Sequence, residues 1–298
     1  MTGSPFSMER RNSLGMTFWE HLEELRWTII RSVIALFVFA IGGFIVMPYI
    51  YDNVIMGPTR PDFFLYRYLC KATSAFPFMP NFCDDTFIIN IININLASQF
   101  FRHMTTSFWL ALILTFPYLT FELWRFVSPA LYESEKRNIK GVFVFGTVMF
   151  FIGCVVGYAL VFPITLRFLA GYQLSDLIVN QISLDSYMDN FLMLTFIMGI
   201  VFELPLLSWL LSKLGLLDRS FFKKYRRHAV VGLLLLAAVI TPSGDPFTLS
   251  VVFIPLYFLY EISSFFVNPA PKKKDEEEED EEEEKETYIP EYEEGDKE

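Results

Sequence analysis

The chain has few of the residues on which enzyme active sites and metal sites most often depend. Its 298 residues include only 3 histidines, 3 cysteines and 15 glycines, and the histidines lie far apart in sequence. We find no glycine-rich phosphate loop, no HExxH motif and no Gly-x-Ser-x-Gly motif. These absences argue against an enzyme, a bound cofactor and a metal site built from histidines.

Charged residues are also scarce, except at the C-terminal end. The net charge is −10, but residues 275–298 alone hold 16 acidic and 2 basic residues, so the rest of the chain carries +4. The remaining basic residues lie between apolar segments, where membrane topology explains them better than nucleic-acid binding. Residues 268–298 form an acidic tail that cannot bury apolar surface, and we expect this tail to be disordered.

Hydrophobic residues, in contrast, make up 53% of the chain, and Phe alone occurs 33 times. This content exceeds the average of about 45–50% for soluble domains, and it predicts an all-α membrane protein that contacts the lipid bilayer directly. Six apolar segments are expected to be transmembrane helices, at about residues 27–47, 105–126, 141–169, 191–211, 229–241 and 247–267. The fifth is short, because a 13-residue helix is about 20 Å long and the hydrocarbon core is about 30 Å thick. Either residues 225–228 extend this helix or the bilayer thins locally.

Prolines lie inside or at the edges of four of these segments. Pro117, Pro163, Pro205 and Pro255 each remove a backbone hydrogen bond and permit a kink in the helix. Kinked helices favour a concave assembly over a straight bundle.

The distribution of basic residues predicts the orientation. Six crossings place both termini on one side, where the connecting segments and termini hold 19 Lys and Arg residues against 5 on the other side. The positive-inside rule therefore predicts that both termini are cytoplasmic. Residues 1–26 would be a cytoplasmic segment in which Leu14, Phe18, Leu22 and Leu25 recur at helical spacing, predicting an amphipathic helix that runs into the first span.

Residues 48–103 are expected to form a long outer loop. The loop contains Cys70 and Cys83, and their spacing leaves open whether they form a disulfide bond. Residues 87–96 alternate imperfectly between apolar and polar types, which fits either a strand or an interfacial helix.

One carboxylate, Glu203, falls near the middle of the fourth span, two residues before Pro205. An ionised group at that depth costs several kcal/mol, so Glu203 should face a wet cavity, pair with a cation or stay protonated. Such residues are functional candidates. Because proline has no N–H group, Pro205 can also leave a backbone carbonyl near Glu203 without its helical hydrogen bond.

Three further charged residues have simpler structural explanations. Arg31, one turn into the first span, can extend toward the lipid headgroups. Glu261 lies in the inner half of the sixth span and could extend toward residues 272–274, which are lysines. Asp245 precedes Pro246 and is expected to cap the sixth span.

Four motifs occur together in a characteristic order and spacing. They are HLEELR at residues 21–26, FVSPALY at 126–132 with Glu135 three residues on, FELP at 202–205, and IPLY at 254–257 with Glu261. In this combination they resemble the TatC family, the polytopic, signal-recognising subunit of the twin-arginine protein translocase. The resemblance covers roughly residues 16–267, except most of the outer loop.

The resemblance implies a function in transport and no enzymatic activity. It implies export of folded proteins across the bacterial cytoplasmic membrane, driven by the proton-motive force. The implied partners are twin-arginine signal peptides of the cargo proteins and single-span subunits of the TatA and TatB type, within an oligomeric complex.

The resemblance also implies which residues act. Glu24 and Glu135 would bind the signal peptide, with Phe126 beside them, and the same motifs contain Leu22, Arg26 and Pro129. Paired arginines on a signal need carboxylates, because guanidinium and carboxylate groups match in bidentate geometry. The family's intramembrane polar site corresponds to Glu203 and its outer acidic position to Asp245; Pro205, Glu122 and Glu261 are further candidates for intramembrane polar or partner contacts.

The chain departs from the family pattern in several places. Glu122 stands where a polar amide is common, and Trp27 and Thr28 replace a basic residue and its neighbour. The turn before Asp245 has an additional residue, Leu249 stands where a glutamine is familiar, and the outer loop is longer than usual. The motifs of the signal site are unaffected.

A second function class is a proton- or ion-coupled carrier of small molecules that uses Glu203. Carriers often contain repeated halves and paired broken helices. We find no convincing internal repeat in this sequence, and the spans differ in length. These features favour the translocase.

Overall fold

The computed structural model describes residues 18–73, 89–127, 139–175, 177–178, 180–213, 216–241 and 244–267. Several predictions from the sequence fall outside these ranges: residues 1–17, Cys83, Pro129, Glu135 and the acidic tail.

The described chain is almost entirely helical, which confirms the predicted class of all-α membrane protein. The helices are α1 (Phe18–Ile50), α2 (Phe64–Thr73), α3 (Ser98–Val127), α4 (Ile139–Val156), α5 (Phe162–Gly171), α6 (Leu184–Val201), α7 (Leu204–Lys213), α8 (Arg219–Lys224), α9 (Arg226–Ile240) and α10 (Pro246–Phe266). Two short strands, β1 (Ile91–Ile92) and β2 (Ile182–Ser183), pair in parallel. Strand β1 lies in the run that the sequence left undecided between strand and helix.

Five helical segments of the described chain are long and apolar enough to cross a membrane. They contain α1, α3, α4 with α5, α6 with α7, and α10, and so correspond to five of the six predicted spans. The remaining predicted span corresponds to α9, whose 15 residues are about 22 Å long. Helix α9 begins at Arg226, so the helix includes three polar residues before its apolar run.

Two of the four predicted kinks coincide with irregular backbone. A π-helical turn at Gly157–Val161 joins α4 to α5 immediately before Pro163, and the helix breaks at residues 202–203 immediately before Pro205. At this break, the Glu203 amide donates to the carbonyl oxygen three residues earlier, at 3.0 Å. Proline has no N–H group and its ring clashes with the preceding helical turn. The irregular turns change the backbone hydrogen-bond pattern before each proline and so avoid this clash.

Helices α4 and α6 pack at very short range because glycines line their contact. A Cβ atom at Gly153 would lie 2.5 Å from the carbonyl oxygen of Met198, and one at Gly157 would lie 2.8 Å from that of Leu194. Only a residue without a side chain fits at these two positions. Around this contact lies the main core, formed by buried side chains that include Met47, Phe162, Tyr187, Met188 and Leu256.

The segment between α1 and α3 is held against the helices by tyrosine hydroxyl groups. Tyr158, between α4 and α5, donates to the carbonyl oxygen of Val54 at 2.9 Å, and Tyr187 of α6 donates to that of Ile55. Together with the β1–β2 pairing, these contacts fix the predicted outer loop to α4, α5 and α6.

The cysteines differ in state. Cys70 is disulfide-bonded, whereas its predicted partner, Cys83, lies outside the described residues, so the pairing stays a prediction. Cys154 is a free thiol buried in the core, where it packs as a small apolar residue.

Candidate functional site

Helices α1 and α3 form an antiparallel pair that positions the candidate signal site. Near one end, the ring of His103 stacks on that of Phe44 with a centroid distance of 4.0 Å. Toward the other end, the Arg31 guanidinium donates to Glu122 at 3.1 Å. The two contacts show that the beginning of α1 lies beside the end of α3.

The Arg31–Glu122 ion pair lies within the predicted spans. The Glu122 side chain is 3% exposed and that of Arg31 is 33% exposed. The second carboxylate oxygen of Glu122 accepts a hydrogen bond from the Tyr118 hydroxyl at 3.0 Å. The expectation that Arg31 extends toward the headgroups is therefore corrected: its guanidinium pairs with α3, where a buried carboxylate needs a cation.

Glu24 lies on the face of α1 that contacts α3. It precedes Arg31 by two helical turns, and residues seven apart share one face of a helix. Thr28, between them, is buried. Phe126 follows Glu122 by one turn and is half-buried, so Glu24 and Phe126 both lie at the same end of the α1–α3 pair.

The other candidates in the first motif have different surroundings. Leu22 is exposed, and the exposed Arg26 guanidinium lies over the Trp27 ring, 5.5 Å from its centroid. Pro129 and Glu135 lie outside the described residues. The structure thus brings Glu24 and Phe126 to one end of the helix pair and leaves the second carboxylate of the site a prediction.

Glu203 lines a cavity of about 250 Å³ between α3 and α7. Its Oε1 atom is buried and has no hydrogen-bond partner in the described part of the chain. A Cβ atom at Gly146 would lie 3.2 Å from Oε2, so the absence of a side chain there makes room for the carboxyl group. The other lining residues are Phe116, Leu119, Thr120, Leu123, Leu206, Leu207 and Leu210.

Glu261 pairs with Arg226 of the neighbouring helix α9. Its carboxylate accepts a hydrogen bond from Arg226 of α9, and the Arg226 guanidinium also donates to the Tyr257 hydroxyl at 2.8 Å. The expectation that Glu261 is satisfied by residues 272–274 is therefore corrected. The cation comes from the neighbouring helix, so Glu261 has a structural role in joining α9 to α10.

Asp245 caps α10 as predicted. Its carboxylate accepts a hydrogen bond from the Thr248 amide at 2.8 Å, and Pro246 occupies the first turn. The preceding Gly244 has a φ of 60°, a backbone conformation that glycine adopts without strain.

A polar cluster at the beginnings of α3 and α6 was not predicted from the sequence. Arg102 donates to Asp185 at 2.7 Å and to Asp189, while Ser98 and Asn95 donate to the second oxygen of Asp185 at 2.9 and 3.2 Å. The two aspartates, four residues apart on one helix face, were the available signal. Their cation lies 83 residues away from Asp185 in sequence, so only the tertiary structure identifies it.

Comparisons with known proteins give one consistent result for the family. The family model described as Sec-independent protein translocase protein (TatC) matches residues 20–255. The TatC protein of Blattabacterium sp. subsp. Periplaneta americana (strain BPLAN) is 35% identical over 257 residues, which cover 85% of this chain and 96% of that relative. The TatC protein of Koribacter versatilis (strain Ellin345) is 31% identical over 263 residues, which cover 87% of this chain and 89% of that protein.

The fold is also similar to a solved structure. A crystal structure of the twin-arginine translocase receptor TatC in the detergent DDM superimposes with a TM-score of 0.66 at 28% identity, covering 83% of this chain and 98% of that chain. Family model, relatives and fold agree over nearly the whole helical region, including α1, α3 and α7, which carry Glu24, Phe126 and the Glu203 cavity. The chain therefore belongs to the TatC family of Sec-independent protein translocase proteins.

Proposed function

We propose that this chain is the receptor subunit of a twin-arginine translocase and binds Arg-Arg signal peptides at the N-terminal end of α1. The observation that carries the proposal is the placement of Glu24 and Phe126 at one end of the α1–α3 pair. The carboxylate of Glu24 supplies an acceptor for a guanidinium group, and Phe126 supplies an apolar surface for the residues beside the arginines. Glu135, eight residues beyond the end of α3 in sequence, supplies the second carboxylate.

The proposed orientation places this site in the cytoplasm. Six crossings, with α9 as a short fifth span, put both termini on the side that is rich in Lys and Arg. The protein then lies in the bacterial cytoplasmic membrane and acts with single-span partner subunits in an oligomeric complex. We further propose that the proton-motive force drives export, as membership of the TatC family implies.

Replacing Glu24 by alanine tests the signal site, and Glu23→Ala is the matched control. Glu23 is exposed and lies about 100° around the helix from Glu24. We expect Glu24→Ala to weaken binding of an Arg-Arg signal peptide about tenfold or more, since a charge-assisted hydrogen bond contributes about 1.5–3 kcal/mol, and Glu23→Ala to leave it nearly unchanged.

The measurement is a binding titration of a labelled Arg-Arg signal peptide and its Lys-Lys version on protein in mild detergent. Equal affinities of the wild-type protein for the two peptides, or equal effects of the two variants, would contradict the proposed site. Because Glu24 is at the helix end, both variants should keep the wild-type melting temperature.

The Glu203 cavity is proposed to bind a transmembrane segment of a partner subunit. Apart from Glu203 and Thr120, the described residues that line it are apolar, and the Thr120 hydroxyl donates to the carbonyl oxygen of Phe116 within its own helix. A carrier of polar solutes needs several polar groups to orient its substrate. The cavity therefore supports the translocase better than the alternative carrier function.

For Glu203→Ala we expect export of a folded twin-arginine reporter to fall about tenfold or more, while signal-peptide affinity changes less than about twofold. The physical reason is that a polar group in lipid-facing surroundings contributes to helix contacts through its hydrogen bond. Export assays in cells and binding titrations separate the two steps, with Thr120→Val as the control in the same cavity. Normal export by Glu203→Ala would show that this carboxyl group is not needed for export.

A further inference from the structure

An exposed basic surface lies where α8 turns into α9. We define the basic surface as Arg219, Lys223, Lys224 and Arg227, all of which are exposed. In the described part of the chain, no carboxylate lies within ion-pair distance of these four residues. The neighbouring Arg226 is engaged by Glu261, as described above.

The acidic residue nearest to this surface in sequence, Asp218, already accepts hydrogen bonds from its own turn. Its carboxylate accepts hydrogen bonds from the Ser220 hydroxyl at 2.7 Å and the Phe221 amide at 2.8 Å. The bond from Ser220, followed by that from Phe221, lowers the pKa of Asp218 below its ordinary value. Asp218 therefore stays ionised as a helix cap, and the basic surface keeps an excess of positive charge.

Helix α10 ends beside this surface. The Arg219 guanidinium lies over the Phe265 ring, 5.5 Å from its centroid, and the Tyr260 hydroxyl donates to the carbonyl oxygen of Phe222 at 2.8 Å. The chain beyond Val267 thus begins two residues after a side chain that contacts Arg219.

The sequence that follows is strongly acidic. All ten residues of Asp275–Glu284 are Asp or Glu. The eight residues from Val267 to Asp275 reach at most about 26 Å when extended, whereas the eight residues from Arg219 to Arg227 span only about 12 Å at the helical rise. The acidic run can therefore reach every member of the basic surface.

We propose that the acidic run Asp275–Glu284 docks on the basic surface of its own chain. Single exposed ion pairs are weak, but the tether gives the run a high effective concentration, and several pairs form at once. Docking neutralises the basic surface and so excludes anionic lipid headgroups, which are attracted to such clusters at a cytoplasmic membrane surface. The tail is thus an internal competitor for the site that lipid phosphate would occupy.

Zero-length crosslinking of the full chain tests the proposal. A water-soluble carbodiimide activates a carboxyl group, and a lysine amine in direct contact displaces the activating group to form an amide bond. In nanodiscs of zwitterionic lipid, we expect mass spectrometry to find amide links from Lys223 or Lys224 to residues 275–284. Their yield should fall about fivefold or more between about 50 and 500 mM NaCl, because salt screens exposed charges.

The matched variant is R219Q/R227Q, which keeps both reactive lysines but removes half of the positive charge. It should lower the crosslink yield several-fold at low salt and leave the melting temperature unchanged. Links from the acidic run that reach only the lysines at residues 272–274, or a yield that neither salt nor the variant lowers, would overturn the proposal. If nanodiscs containing anionic lipid abolish the links at low salt, lipid headgroups occupy the surface and the proposal is wrong.

Discussion

Replacing Arg31 by leucine is expected to lower the free energy of unfolding by about 3–5 kcal/mol, because it leaves a buried carboxylate without its cation. Glu122 is 3% exposed and would keep only the hydrogen bond from the Tyr118 hydroxyl. The apolar interior cannot solvate the remaining charge. Thermal and denaturant unfolding in mild detergent, followed by tryptophan fluorescence, measure this loss.

The reverse replacement should cost less. In Glu122→Leu the unpaired group is Arg31, whose side chain is 33% exposed and which lies near the end of its span, so it can extend toward the headgroups. The double variant Arg31→Leu/Glu122→Leu should recover most of the stability, since two apolar side chains replace two buried charges. Equal losses of stability in the two single variants, with no recovery in the double variant, would show that the ion pair does not stabilise the contact between α1 and α3.

The pair also affects the proposed signal site. Arg31 and Glu122 fix α1 against α3 two turns below Glu24 and one turn below Phe126. A shift of the two helices would change the distance between these residues. We therefore read a loss of signal binding in Arg31→Leu as an effect on position, whereas the same loss in Glu24→Ala concerns a direct contact.

Replacing Gly153 by alanine is expected to cost about 1–3 kcal/mol, the usual range for an overpacked core. The added Cβ atom would lie 2.5 Å from the carbonyl oxygen of Met198 and 2.7 Å from the Cβ atom of Phe202. Backbone cannot move aside as the end of a flexible side chain can, so α4 and α6 must separate. The measurement is the melting temperature of the purified variant in the same detergent.

Gly42→Ala is the matched control, because nothing lies within 4 Å of the Cβ atom it would add. This glycine is also within a helix, where alanine is favoured over glycine by about 0.5–1 kcal/mol. We expect the control to be neutral or slightly stabilised. A Gly153→Ala variant as stable as Gly42→Ala would contradict the close α4–α6 contact.

Most of the fold could be predicted because a bilayer imposes a simple requirement on sequence. A segment that crosses it must satisfy its backbone polar groups internally, so long apolar runs become helices. The run around Ala111 and the run around Val252 are examples in which composition alone identified the helix. Helix α9 was harder to predict, since its apolar run is too short to cross the hydrocarbon core and the helix also includes Arg226 and its neighbours.

Part of the candidate site followed from the motifs. Glu24 and Phe126 belong to motifs 100 residues apart in sequence, and the structure brings them to one end of one helix pair. The partners of Arg31 and Glu261 did not follow, because a single charged residue in a span does not reveal which neighbouring helix faces it. Both residues were expected to find their partners at the membrane surface or in the tail, and both pair instead with another helix.

The sequence by itself determined the class of protein, five of the six predicted spans, the cap of α10 and the family, since these depend on local composition and on the spacing of motifs along the chain. The tertiary structure alone decided which charges meet: Arg31 with Glu122, Arg102 with Asp185 and Arg226 with Glu261. It also decided where Glu203 faces a cavity and where Gly153 must lack a side chain. The physical reason is that these features depend on how the helices pack side by side, and segments far apart in sequence carry no local signal of their contact.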